Sequence, residues 1–214
     1  MINAKFSKRT VLMSVHMSHR ELTTCLLGFA KIRYRDPKLL QSMSPVILKN
    51  IPEFDTLELA LLLGAYRRLE YRRIDQIELL LNELCLPDRI PTWTSLTIAL
   101  SCNAAGVFSI YHAPFWNAVG REIERATNPQ LRWGSEPFLV GLVLHGMAKV
   151  DLRHSGSLKI LSRAFTHHCR RYADVQRQET LAVSLNALAR LDWRSRKMRL
   201  YAEQAVATRL KTAL

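Results

Sequence analysis

Four arginines, Arg35, Arg72, Arg153 and Arg194, each directly follow a large side chain: Tyr34, Tyr71, Leu152 and Trp193. Four more cations, Lys31, Arg68, Lys149 and Arg190, stand three residues before that side chain. A guanidinium offers a planar fork of N–H donors that matches two phosphate oxygens, and an ammonium offers a compact point charge. A regular row of such groups can follow a phosphodiester backbone. The same spacing has a second reading. Cations in the last turn of a helix offset its dipole and cap free carbonyls, worth roughly 0.3–1 kcal/mol each.

Other reactive side chains form no comparable pattern. The chain lacks a phosphate-cradling G-x-x-x-x-G-K-S/T, a dinucleotide G-x-G-x-x-G, a metalloprotease H-E-x-x-H and a nucleophile-elbow G-x-S-x-G. His167-His168-Cys169 is the one run of ligand-type residues. Successive helical residues point about 100° apart, so these three do not readily share a metal, and Cys169 reads as packed inward from a surface helix. Glu122, Glu124, Asp75 and Glu78 read as solvated helix charges. The expectation is a non-enzyme with no cofactor, metal or small-molecule substrate.

The cation spacing implies a repeat. Tyr34, Tyr71, Phe108, Leu152 and Trp193, taken as anchors, are 37, 37, 44 and 41 residues apart, the range of helix-pair repeats. Twelve residues before each anchor stand Leu22, Leu59, Leu96, Val140 and Leu181; eight before stand Leu26, Leu63, Leu100, Leu144 and Leu185. Five before come Phe29, Tyr66, Asn103, Met147 and Leu188, and two before come Ile32, Leu69, Gly106, Val150 and Leu191. These offsets trace one face of a 3.6-residue helix. Eleven before the anchor the residues are slight (Thr23, Ala60, Thr97, Gly141, Ala182), which lets a neighbouring helix approach closely. The third unit departs at Asn103 and Gly106, and it carries Ala105 and Ser109 where the others carry cations.

Helix ends agree with this register. Ser18-His19-Arg20-Glu21 and Asp55-Thr56-Leu57-Glu58 have the capping-box pattern. Asp36-Pro37 supplies an N-cap and an N1 proline for a partner helix over 37–49, and Ser135-Glu136-Pro137 opens the fourth repeat in the same way. Further partner helices are expected near 73–85, 113–126, 157–172 and 195–211. A lone helix pair cannot bury both faces, so the expected fold is all-α, an α-solenoid of about five helix-turn-helix repeats at roughly 18–54, 55–91, 92–134, 135–174 and 175–214. Residues 1–17 form a basic N-terminal arm ahead of the repeat domain over 18–214.

Composition fits a folded helical protein. Of 214 residues, 48% are hydrophobic and 23% charged, and only eight Gly and eight Pro leave few turns for an all-β fold. No stretch reaches the roughly 18–20 apolar residues of a membrane span. Thirty-one Lys and Arg against eighteen Asp and Glu give a net charge of +13, which favours a polyanionic partner; a generally basic organellar protein is the alternative. Cys25, Cys85, Cys102 and Cys169 are too scattered for a disulfide framework or zinc site and point to a reducing compartment. The first twenty residues carry Lys5, Lys8, Arg9 and Arg20 with no acid before Glu21, as in a mitochondrial targeting segment or a basic arm ordered by a partner.

Residues 90–120 hold no formal charge but contain Trp93, Phe108, Tyr111, Phe115 and Trp116. Aromatics without Lys or Glu mark protein-interface cores, so Trp93, Tyr111, Phe115 and Trp116 are candidate docking residues. Burial of a central repeat between its neighbours accounts for the same composition. Full burial of Trp93 and Trp116 within the chain would remove the docking reading.

The phrase Leu26-Leu27-Gly28-Phe29-Ala30-Lys31-Ile32-Arg33-Tyr34-Arg35-Asp36-Pro37-Lys38-Leu39-Leu40 resembles the repeat of organellar helical-repeat proteins, namely the FAST-kinase-like, RAP-associated, octotricopeptide and heptatricopeptide families. Met147-Ala148-Lys149-Val150-Asp151-Leu152-Arg153 and Leu188-Ala189-Arg190-Leu191-Asp192-Trp193-Arg194 echo it. The resemblance spans roughly residues 20–211 and implies RNA handling in mitochondria or plastids. Residues 1–214 show no RAP-type segment, and a repeat-only chain of this size is expected to be a subunit rather than an independent processing factor. The expected role is a structural subunit of a mitochondrial ribosome or related ribonucleoprotein in the matrix, with plastid or cytoplasm as alternatives. Ribosomal RNA and neighbouring proteins would be its partners. A protein–protein scaffold without RNA contact is the competing expectation.

Overall fold

A computed structural model describes residues 2–125, 131, 133, 136–171, 178–194, 196, 199, 200, 203, 204, 206 and 207. It divides into two compact units, residues 1–92 and 93–214. The first contains α1 (Ile2–Met13), α2 (His19–Lys31), α3 (Pro37–Lys49), α4 (Thr56–Leu69) and α5 (Ile74–Leu84). The second contains α6 (Ser95–Val107), α7 (Ala113–Glu124), α8 (Pro137–Lys149), α9 (Ser155–Arg171) and α10 (Gln178–Arg190). Short 3-10 turns lie at Ser14–His16, Ile51–Glu53 and Ile90–Thr92, and no strand occurs among the described residues. The fold is all-α.

The helix starts follow from their caps. Ser18 and Asp55 each complete a reciprocal capping box with Glu21 and Glu58. The Asp36 carboxylate accepts from the N–H groups of Lys38 and Leu39 at 3.0 and 3.3 Å, with Pro37 at N1. The Ser7 hydroxyl donates to the same carboxylate, which joins α1 to the start of α3 and, more than any other contact, holds Asp36 below the usual carboxylate range. At α8 the proline is in place at N1, but Glu136 is the N-cap and its side chain makes no capping bond. The fifth expected partner helix, near 195–211, lies mostly outside the described residues.

In the first unit α2 packs along α4, and α1 along α3. His19 Nδ1 meets Glu58 at 2.9 Å at one end of the α2–α4 pair, and Arg35 pairs with Glu70 at the other, so these helices run parallel and in register. Arg89 closes this unit's last loop: its guanidinium meets Glu83 at 2.6 Å and donates to the carbonyls of Pro52 and Phe54.

In the second unit α8 packs between α6 and α10, and α9 packs on both α7 and α8. Gly146 lies directly against α6. A Cβ there would fall 2.2 Å from the Cys102 carbonyl oxygen, and one on Gly106 would fall 2.5 Å from Gly146 Cα. Helical Cβ atoms tilt toward the N-terminus and carbonyls toward the C-terminus. Gly146's absent Cβ faces Cys102 while its carbonyl faces Gly106, four residues further on, so α6 and α8 are parallel. Neither Gly106 nor Gly146 belongs to the expected column of slight residues; Gly141 does, and a Cβ there would sit 3.0 Å from Ser184 Oγ on α10.

The third repeat needs a correction of register. Five residues have left-handed backbone: Arg33, Glu70, Ser109, Asp151 and Asp192, with φ between 51° and 58°. Each immediately precedes an amide that bonds back five residues: Tyr34 to Phe29, Tyr71 to Tyr66, Ile110 to Ala105, Leu152 to Met147 and Trp193 to Leu188, at 2.8–3.0 Å. This is the Schellman C-cap, in which a residue in αL stops the helix and an apolar pair closes over it. The ring pairs Phe29–Tyr34 and Tyr66–Tyr71, with centroids 5.9 and 5.1 Å apart, are two such closures.

Ile110, rather than Phe108, is therefore the anchor of repeat three, and the spacings become 37, 39, 42 and 41 residues. With that shift of two, Ile98, Cys102, Ala105 and Phe108 fall into the apolar columns and Ala99 into the slight one, all buried. The apparent defects at Asn103 and Gly106 disappear.

Candidate nucleic-acid interface

The Schellman caps mount the cation columns. In each of the first four repeats a left-handed residue, the anchor and one further residue lead to the N-cap of the next helix: Asp36, Arg73, His112 and His154. Arg35, Arg72 and Arg153 occupy the single position between anchor and N-cap, and Arg194 follows the fifth anchor. Lys31, Arg68, Lys149 and Arg190 lie in the last helical turn, where carbonyls without intrahelical partners leave partial negative charge. Both columns thus collect at helix C-terminal ends.

The two columns differ in what they touch. Arg35 makes a two-pronged contact with Glu70, Arg153 Nε meets Asp151 at 3.0 Å, and Arg194 Nε meets Asp192 at 2.8 Å. These acids occupy the left-handed cap position, a role that spacing alone does not reveal. A sequence signal exists in Asp151-Leu152-Arg153 and Asp192-Trp193-Arg194, an acid two residues before the arginine. All three pairs are solvent-exposed, the arginines by 47–88%, so each contributes about 0–1 kcal/mol and yields readily to a competing anion. Lys31, Arg68, Lys149 and Arg190 are exposed and form no ion pair among the described residues. Arg67 lies beside Arg68, and partial burial followed by that neighbour's charge lowers its pKa.

Repeat three, in its corrected register, places Val107 and Tyr111 where the other four have cations, replacing Ala105 and Ser109. Both side chains are exposed, Tyr111 by 62%. The other three aromatic docking candidates do not reach the surface. Trp93, Phe115 and Trp116 are each about 1% exposed; Trp93 packs on Phe115, Phe115 on Trp116, and Trp116 Nε1 donates to the Ile110 carbonyl at 3.1 Å. They are core residues of the second unit, so only Tyr111 of the four is available to a partner.

A further basic face escaped the column pattern because it runs along one helix rather than across repeats. Lys159, Arg163, His167 and Arg170 fall on α9 at intervals of four, four and three residues, all exposed. Helical geometry confines them to an arc of about 80°, with successive rises of about 4.5–6 Å. The helix contains no Asp or Glu. Residues 149–214 hold 14 Lys and Arg against five Asp and Glu, whereas residues 93–148 hold three of each. The excess charge of the second unit belongs to its last two repeats.

His168 and Cys169, by contrast, point inward. His168 is fully buried with Nε2 3.0 Å from the Trp133 carbonyl oxygen, and burial lowers its pKa. Cys169 is buried too, its thiol pushed up to about 11, while His167 is exposed. Among the described residues no group of three His, Cys, Asp or Glu could hold a metal ion, and no helix is long and apolar enough to cross a membrane. No protein-family model matches the chain, and no curated protein matches it.

Proposed function

We propose that this chain is a non-catalytic, RNA-contacting helical-repeat protein, an α-solenoid of five helix pairs. In this reading it is a structural subunit of a mitochondrial ribosome or related organellar ribonucleoprotein, lodged among ribosomal RNA and neighbouring proteins in the matrix. The observation that carries the RNA reading is the recurrence of one C-cap five times, with cations at two fixed positions around it in four of the five. A cap needs neither cation: the two amide bonds and the apolar pair suffice to stop a helix. Exposed cations on equivalent mounts therefore fit selection for a partner with regularly spaced negative charge. The acid-free face of α9 adds to the same preference.

Association of the full chain with a labelled RNA, followed over a salt titration, tests this directly. Three variants are compared with the natural chain: Lys31, Arg68, Lys149 and Arg190 to Ala; Arg35, Arg72, Arg153 and Arg194 to Ala; and Lys159, Arg163 and Arg170 to Ala. Removing one phosphate-neutralising cation lowers the slope of log K against log salt by about 0.7 for a single strand. The first variant is expected to flatten the slope by nearly 3, four such cations at that increment. Unchanged affinity and slope in all three would refute RNA contact through these groups.

A further inference from the structure

Tyr111 holds the same place in its repeat that Arg153 holds in the next. Each follows a Schellman anchor, Ile110 or Leu152, and each precedes a histidine N-cap. His112 Nδ1 accepts the Phe115 N–H at 3.2 Å, as His154 Nδ1 accepts the Ser157 N–H at 3.4 Å. Since α6 and α8 pack in parallel with Gly106 against Gly146, Tyr111 and Val107 stand at the end of α6 beside the end of α8 that bears Lys149 and Arg153.

The mount of Tyr111 is rigid although its ring is exposed. The preceding Ile110 is held twice, through its N–H to the Ala105 carbonyl at 2.8 Å and through its own carbonyl by the buried Trp116 Nε1. The following residue is fixed as the cap of α7. Tyr111's ring contacts no other aromatic ring and its hydroxyl has no partner among the described residues. An aromatic face presented on fixed backbone loses little entropy when a flat ligand stacks on it.

Phosphate recognition alone gives no use for an uncharged aromatic beside the cations at the end of α8. Single-stranded nucleic acid does, because its bases are free to stack on aromatic side chains while cations follow the backbone. Duplex RNA, read by its shape and backbone, has no base face to offer. With Trp93, Phe115 and Trp116 buried, Tyr111 lacks the aromatic cluster that anchors protein partners. Resting on the RNA reading, we infer that Tyr111 is a base-stacking residue and that the RNA bound at this edge of the second unit is single-stranded.

The test compares the full-length natural chain with Tyr111→Ala, Tyr111→Phe and the Lys31/Arg68/Lys149/Arg190 alanine variant. The probes are a labelled single strand of mixed sequence and a duplex of equal length. Tyr111→Ala should weaken single-strand binding roughly 5- to 140-fold, the loss of one stacked base, with the salt slope unchanged because no charge is removed. Tyr111→Phe should bind like the natural chain, and duplex binding should be indifferent to either change. Equal binding by Tyr111→Ala, while the cation variant flattens the slope, would overturn the stacking role and leave the RNA reading intact. Failure of the natural chain to bind either RNA would overturn both. A Tyr111→Ala variant that loses a protein neighbour but keeps its single-strand affinity would also overturn the inference.

Discussion

Gly106 and Gly146 meet backbone to backbone, so close that a Cβ on the first would fall 2.5 Å from Cα of the second. No rotamer change relieves such a contact, because the opposing atoms are main chain. Gly146→Ala, whose Cβ would fall 2.2 Å from the Cys102 carbonyl oxygen, should separate α6 from α8 and cost roughly 1–3 kcal/mol or more. Gly28→Ala is the matched control: nothing lies within 4 Å of its Cβ, and helix propensity should add about 0.5–1 kcal/mol. Denaturant midpoints for both variants measure the contrast.

The five left-handed caps contain no glycine. An L side chain in that conformation costs roughly 1–2 kcal/mol, part of which glycine gives back as greater freedom in the unfolded chain. Ser109→Gly, at φ 58° and without the acid–arginine pair of the later repeats, should therefore stabilise the second unit by about 0.5–1 kcal/mol. Ser109→Val should destabilise it. Calorimetric unfolding of the two variants decides; a neutral valine would contradict the assignment of this residue as the cap of repeat three.

Much of this architecture was legible because caps are short-range. Ser18, Asp36 and Asp55 cap as their sequence patterns require, and the partner helix expected over 37–49 is Pro37–Lys49. The anchor columns succeeded for a local reason too: anchor and fifth residue before it are the apolar pair of a Schellman motif. Repeat three misled because Phe108 and Ile110 are both large and apolar, and only the backbone reveals that Ser109 turns left-handed between Phe108 and Ile110.

Pairing was harder to read than position. A flexible arginine can reach acids before it, after it or in the next repeat, as Arg153 and Arg35 do with Asp151 and Glu70. Nor could composition separate a buried aromatic core from a docking face at Trp93 and Trp116, since both exclude charge.

His168 gives the pH dependence. Burial lowers its pKa below the ordinary histidine value, so the unfolded chain binds its proton more readily than the folded one. The associated stability is complete above the unfolded pKa near 6.5 and is lost as pH falls through the lower folded value. Stability should decline on acidification below about pH 6.5, and His168→Gln should reduce that dependence while lowering stability at neutral pH. Urea unfolding at several pH values reads it; identical pH profiles would exclude His168 as the titrating group.

Zero-length ultraviolet crosslinking of the full chain in the cells that make it, followed by mass-spectrometric mapping of adducts, addresses RNA contact most directly. RNA held along the helix C-caps should leave nucleotide adducts on peptides spanning the cap connectors, with Tyr111 among the crosslinked residues and others beside Lys31, Arg68, Lys149 and Arg190. Recovery of those connector peptides crosslinked to protein, with no nucleotide on any of them, would contradict it.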